Sequence, residues 1–302
     1  MKSSISVLAK LMAMTLAMLT PEPTRANQID ACSPAPALHA PAEERPFSIE
    51  TPDGVIEGTL AAPDAAPKAL AVMLHGYTGA RNEQRGMFRR AAHAFAERGI
   101  ATLRIDFIGS GRSDGAWADT TFSSQARDAV RAATALRDEY KDRLPVSVLG
   151  FSQGGLVALH AGATGDPFHR MALWNPVMNP MATYGIIFGE ETILQAATIH
   201  AQGGPNDIVG KTRLRPGFFA EIASADPIAD AARVKAPVLI ITGQRDPLVK
   251  NGATLAARIA AGRSEETSLL DMNAGHDLGA IREPDVLQNV ITCTAGFLLK
   301  GG

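Results

Sequence analysis

The stretch LGFSQGGLVAL, residues 149–159, sets Ser152 between Gly150 and Gly154. A continuous apolar run, VSVLG (146–150), leads into the serine, and a helical pattern over 153–163 follows it. A strand that turns directly into a helix strains the residue at the turn, and the flanking positions must then lack side chains. Such a turn lifts the hydroxyl over the carboxyl ends of the strands, where ligands bind in open α/β sheets. A serine placed this way becomes a nucleophile when a histidine takes its proton and a carboxylate orients that histidine. Behind a turn of this kind the partners follow in the order serine, acid, histidine. VLIITGQRDPLV places Asp246 just past one later apolar run, 94 residues after Ser152, and LLDMNAGHDLG places His276 just past the next, 30 residues on. These three residues are the expected catalytic set.

Other histidines and acids fit less well. His39 lies in a Pro-rich arm, His93 and His160 fall within helical patterns, and His169 and His200 lack a loop after a late strand. His75 ends an early strand in HGYTG and is read as shaping that loop. Asp271 and Asp277 are too close in sequence to His276 to orient it, and Asp106 follows an early strand; Asp226 is the one rival acid. A tetrahedral oxyanion also needs backbone donors. The N–H of Gln153, at a helix N-terminus, supplies one, and the N–H of Tyr77 in LHGYTGARN is the expected second, with Gly76 letting the backbone approach. GSGRSDG (109–115) lacks the Lys-Ser/Thr of a phosphate loop and the third glycine of the dinucleotide spacing, so it reads as a tight loop supporting the site.

The elements that must hold these groups alternate along the chain. RPFSIETPDGVIEGTLAAP alternates on both sides of Thr51-Pro52-Asp53-Gly54 and reads as an antiparallel hairpin. Strand patterns follow at 69–75, 100–106, 146–150, 171–176, 236–243 and 267–272, with helical patterns at 87–98, 121–140, 153–163, 251–261 and 283–299. Continuous apolar strands separated by helices of crossover length imply an α/β fold, a mostly parallel sheet covered on both faces. Residues 177–236 break the pattern with an insertion of about sixty residues, long for a loop, read as a cap over the carboxyl edge of the sheet. Its Met178, Met181, Tyr184, Ile186, Ile187 and Phe188 either wall an apolar acyl or aryl pocket or pack the cap onto the sheet.

Composition narrows the setting. The chain has 302 residues, 46% apolar and 20% charged, and its net charge of −2 offers no basic excess for nucleic acid or anionic lipid. Lys2 and Lys10 flank the start of LMAMTLAMLT (11–20), and Thr24-Arg25-Ala26 has small residues at its first and third positions. That order predicts a signal peptide over 1–26, export to the periplasm or medium, and a Pro-rich arm over 27–46 ahead of one large domain over 47–302. The run is too short to span a bilayer, so no membrane anchor is expected. Removing 1–26 takes away three basic and one acidic side chain and leaves −4. Cys32 and Cys293, the two cysteines, either form a disulfide in an oxidising compartment or stand as two thiols. No zinc spacing occurs, and the chemistry needs neither metal nor organic cofactor.

Taken together, HGYTG, RIDFIGSGRSDG, GFSQGG, GQRDPLV and NAGHD resemble the α/β-hydrolase superfamily, most of all its cinnamoyl/feruloyl esterase-like and serine aminopeptidase-like branch. The resemblance runs from about residue 45 to 300. It implies an α/β-hydrolase fold, Ser152 as nucleophile with Asp246 and His276 as partners, and Tyr77 and Gln153 as oxyanion donors. The expected activity is hydrolysis of carboxylic esters of small molecules through an acyl-enzyme. Amide or peptide hydrolysis, or acyl transfer, would use the same triad. A silent binding protein would not require a serine in a strained turn.

Overall fold

A computed structural model describes residues 43–300. The described residues form one eight-stranded sheet: β1 (Glu43–Thr51), β2 (Gly54–Ala62), β3 (Ala69–Leu74), β4 (Ile100–Ile105), β5 (Val146–Phe151), β6 (Met171–Trp174), β7 (Val238–Gly243) and β8 (Thr267–Met272). Its order is β1-β2-β4-β3-β5-β6-β7-β8. β1 pairs antiparallel with β2, and β2 antiparallel with β4; every other pairing is parallel. The N-terminal hairpin closes on Pro52 and Asp53, with Thr51 opposite Gly54 in the register. The expected arm (27–46) and leader lie largely outside the described residues, as does Cys32; Cys293, the other cysteine, is buried and is not a free thiol.

The parallel strands are buried along their length because helices cover both faces. α1 (Met87–Ala96) and α9 (Pro284–Leu298) pack on one face, where Ala71, Met73, Leu149 and Trp174 point. α2 (Phe122–Glu139), α3 (Gln153–Gly165) and α8 (Gly252–Ala261) pack on the other, against Leu70, Val72, Leu74 and Val148. Successive residues of β3 thus divide between two cores, the period-2 rule of a pleated strand. α1 shows the matching helical stripe, burying Met87, Phe88, Ala91, Ala92, Phe95 and Ala96. α2 starts where Thr121 and Ser124 each accept the other's backbone N–H, a capping box that satisfies two donors otherwise left open.

The insertion folds into α4 (Pro180–Phe188), α5 (Glu190–Ala201), α6 (Pro216–Ser224) and α7 (Pro227–Arg233). Three of these helices begin with proline, a residue whose missing N–H costs nothing in a first turn. Asn179 caps α4, and Asp226 caps α7 by accepting from the N–H groups of Ile228 and Ala229. That role occupies the rival acid away from the triad. β6 stops at Trp174, two residues before the expected end, because Asn175 takes a φ of 42° and leaves the strand. Among the described residues no helix is long and apolar enough to cross a membrane.

Candidate active site

Ser152 sits between β5 and α3 with φ 53° and ψ −115°, outside the regions L-residues favour. The adjoining glycines show what maintains that strain. A Cβ on Gly154 would strike the backbone carbonyl of Leu74 and come within 2.7 Å of the His75 carbonyl oxygen. A Cβ on Gly155 would lie 2.6 Å from Pro176 Cβ. The start of α3 therefore packs backbone-to-backbone on the end of β3. Ser152 is further tied by its N–H to the Trp174 carbonyl at 2.9 Å, and its own carbonyl accepts from Val177 N–H at 3.0 Å.

His276, after β8, brings Nε2 to 3.0 Å from Ser152 Oγ, and its Nδ1 lies 2.6 Å from Asp246 Oδ2. A carboxylate only accepts, so Nδ1 carries the proton and Nε2 is free to receive the serine's. Asp246, after β7, spends its other oxygen on the N–H groups of Leu248 (2.8 Å) and Val249 (2.9 Å). Burial pushes this carboxyl up, but the His276 hydrogen bond and charge, with the two amides, outweigh it and hold the pKa below the ordinary value. The structure thus assembles the three sequence-derived residues from the ends of three strands into a Ser-His-Asp triad.

A cavity of about 510 Å³ opens over Ser152, lined among others by Gly76, Tyr77, Phe151, Tyr184, Ile187 and His276. Among the described residues the backbone N–H groups of Tyr77 and Gln153 meet no acceptor, while that of Gly76 is held by Glu83. Of the six cap candidates, Tyr184 and Ile187 line this cavity, and Ile186 is exposed. Met178 is buried in the core, and Met181 and Phe188 pack against it. Tyr77 meets Tyr184, Phe188, Trp117 and Phe218 at ring centroids of 5.5 to 6.1 Å, so the loop after β3 and the cap share one aromatic cluster. Burial pushes the Tyr77 phenol up to about 12, against Arg213, and keeps it neutral.

Gln125, Thr120 and Asn175 support the site and carried no sequence signal of their own. Tyr184 donates its hydroxyl to Gln153 Oε1, Gln153 Nε2 donates to Gln125 Oε1 at 2.7 Å, and Gln125 Nε2 to Thr120 Oγ1 at 3.0 Å. All four are buried, so a directional chain runs from the cap through the residue after the nucleophile into α2. Asn175 bridges the ends of β6, β7 and β8. His75 accepts the Phe107 N–H at Nε2, 3.2 Å away, and donates from Nδ1 to the Gly76 carbonyl at 2.9 Å. Burial lowers its pKa despite the Gly76 bond and Asp106, leaving a neutral ring that joins two loops. The GSGRSDG loop wraps Asp106, whose oxygens accept from the N–H groups of Arg81 and Arg112. His160, on α3, pairs instead with Asp230 of α7 at 3.1 Å.

Residues 65–202 match the family model for serine aminopeptidase, S33. An Escherichia coli relative, known only as an uncharacterized 31.7 kDa protein of the traX-finO intergenic region, is 25% identical over 230 residues, 65% of this chain and 79% of the relative. Among solved structures, Est1E of Butyrivibrio proteoclasticus with ferulic acid bound superposes with a TM-score of 0.62 at 22% identity, covering 81% of this chain and 96% of Est1E. The Pyrococcus furiosus esterase Pf2001 gives 0.62 at 20% identity, over 85% and 93% of the two chains. A thermostable carboxyl esterase from Bacillus coagulans gives 0.66 at 15% identity, over 85% and 99%. At these identities the likeness establishes a shared fold.

Proposed function

We propose that this chain, with a fold and triad like those of the α/β-hydrolases, hydrolyses carboxylic esters of small molecules through an acyl-enzyme on Ser152. The observation that carries the reading is the unbroken line from Asp246 Oδ2 through His276 to Ser152 Oγ, open to a cavity large enough for a small acyl or aryl group. As Oγ attacks the ester carbonyl carbon, its proton passes to His276 Nε2 and the carbonyl π pair becomes an oxyanion. The unengaged N–H groups of Tyr77 and Gln153 receive that oxyanion. Collapse re-forms the carbonyl and expels the alkoxide, which takes the proton from His276. Water then repeats the sequence in reverse roles, releasing the acid and restoring the serine. Asp246 keeps the ring oriented and balances the imidazolium throughout.

The ester preference is supported by structural neighbours named as esterases, Pf2001 and the Bacillus coagulans carboxyl esterase, and by Est1E, which has ferulic acid bound. Amide hydrolysis is the second reading, favoured by the match to a serine aminopeptidase model. The test is to treat purified protein with a fluorophosphonate and a panel of acyl esters, aryl esters and peptides, beside Ser152→Ala. Labelling of Ser152 with ester turnover that vanishes in the variant supports the proposal; undiminished turnover by the variant overturns it. Cleavage of peptides with none of the esters selects the amidase reading. The same proposal places the enzyme outside the cytoplasm, on the leader-like order of residues 1–26. N-terminal sequencing that finds Met1 retained on the protein of an exported fraction would contradict a cleaved leader.

A further inference from the structure

Glu83 contributes a carboxylate to the wall of the catalytic cavity, and neither the triad nor the oxyanion donors account for it. Its Oε1 accepts the Gly76 N–H at 2.6 Å and its Oε2 accepts the Gln84 N–H at 3.0 Å. Two donors, one on each oxygen, stabilise the ionised form of this carboxyl. The neighbourhood is shaped around this group. Gly79 faces Glu83 so closely that a Cβ there would run into Oε1, and Glu83 itself holds a φ of 53°, a strained backbone for a non-glycine residue. Burial raises its carboxyl above the ordinary value, and the two amides and His276 offset only part of that rise.

Of the other ionisable groups on the cavity wall, Tyr77 and Tyr184 carry no charge, since burial keeps both phenols protonated, and His276 is paired with Asp246. No lysine or arginine lines the cavity among the described residues. Arg213, which acts on Tyr77, stands outside that lining. A substrate bearing its own carboxylate would therefore approach the Glu83 carboxylate with no lysine or arginine on the cavity wall to offset the two charges, an arrangement that penalises like charge.

Resting on the ester reading above, we propose that Glu83 sets the charge preference of the site, admitting uncharged and cationic substrates and rejecting those with an anionic group on the acyl or alcohol part. The test compares methyl 4-carbamoylbenzoate with monomethyl terephthalate, a neutral and an anionic ester of the same shape, in the wild type and in Glu83→Gln. The wild type should favour the neutral ester in kcat/KM by about tenfold or more, and the variant should lose most of that ratio. Damage to the loop would lower both rates together and leave the ratio as it was, so a ratio unchanged by the substitution overturns the proposal. Two fluorophosphonates differing in a terminal carboxamide or carboxylate supply a second readout through Ser152 labelling rates. If Ser152 is labelled but neither ester turns over, the ester reading fails, and charge selection is decided by those rates. Equal wild-type labelling by the two probes would refute it.

Discussion

Asn175 Nδ2 donates to the carbonyl oxygen of His276 at 2.9 Å, while its Oδ1 accepts the Gly243 N–H at 2.7 Å. One carboxamide thus joins the histidine's own backbone to the end of the strand that leads to Asp246. Asn175→Ala leaves the buried Gly243 N–H without its partner and frees the His276 loop. We expect a loss of about 1–3 kcal/mol in unfolding free energy, with kcat reduced about 10-fold or more and KM little changed. Denaturant unfolding and steady-state kinetics on the same preparation decide it; an unaltered kcat would show that the loop keeps its place without Asn175.

Asp246→Asn keeps the side chain's shape but presents a neutral amide to His276 Nδ1. The imidazole then loses the acceptor that fixes its tautomer, and the imidazolium loses its counter-charge. The expected fall in kcat is about 10⁴-fold. A fall of less than tenfold would point to another carboxylate as the orienting group.

The strained turn makes a separate prediction about stability. Ser152→Gly removes the nucleophile and relieves a φ of 53°, whereas Ser152→Ala removes the nucleophile and keeps the strain. Both are inactive, but the glycine variant should be the more stable by about 1 kcal/mol. Equal midpoints in guanidinium would mean that the turn stores little energy.

Tyr184→Phe deletes one hydroxyl and leaves the aromatic cluster filled. Gln153 Oε1 then lies buried without its donor, at a cost of about 1–3 kcal/mol. Because Gln153 directly follows the nucleophile, kcat should fall as well. A variant with wild-type stability and kcat would show that the Tyr184–Gln153 hydrogen bond supports neither.

Asp128 gives a pH signature. It is 2% exposed and accepts the Ile108 N–H at 3.0 Å. Burial raises its pKa from 3.8 to about 6, against the pull of that amide, Arg131 and Arg127. Between those two values the folded chain holds a proton that the unfolded chain has released, so stability falls as pH rises through the window and stays lower above it. Asp128→Asn does not titrate. Relative to wild type it should gain about 1–3 kcal/mol between pH 4 and pH 7. Unfolding curves of both proteins at the two pH values measure the change, and a constant difference would refute it.

Much of this arrangement is legible before any fold is seen. Ser152 declares itself because a strand, a small-residue turn and a helix are local patterns, and Asp246 and His276 because each follows an apolar run closely. Asn175 is different. Its partners lie 68 and 101 residues away, and nothing local distinguishes it from any asparagine ending a strand. Glu83 likewise reads as one charge in a polar loop until the chain folds Gly76 onto it. The cap resisted reading for the opposite reason: apolar side chains that pack and those that line a cavity have the same composition. Met178 and Tyr184 are both buried, and tertiary geometry alone puts the second beside Ser152.

The dispersal of the triad over β5, β7 and β8 also sets when the chemistry begins. Synthesis delivers the nucleophile 124 residues before its base. A nascent chain halted at any point before His276 displays a serine that nothing deprotonates, whatever part of the sheet has already formed. Reactivity therefore arrives last, with the docking of the final strand, and the unfinished protein is chemically quiet toward its surroundings.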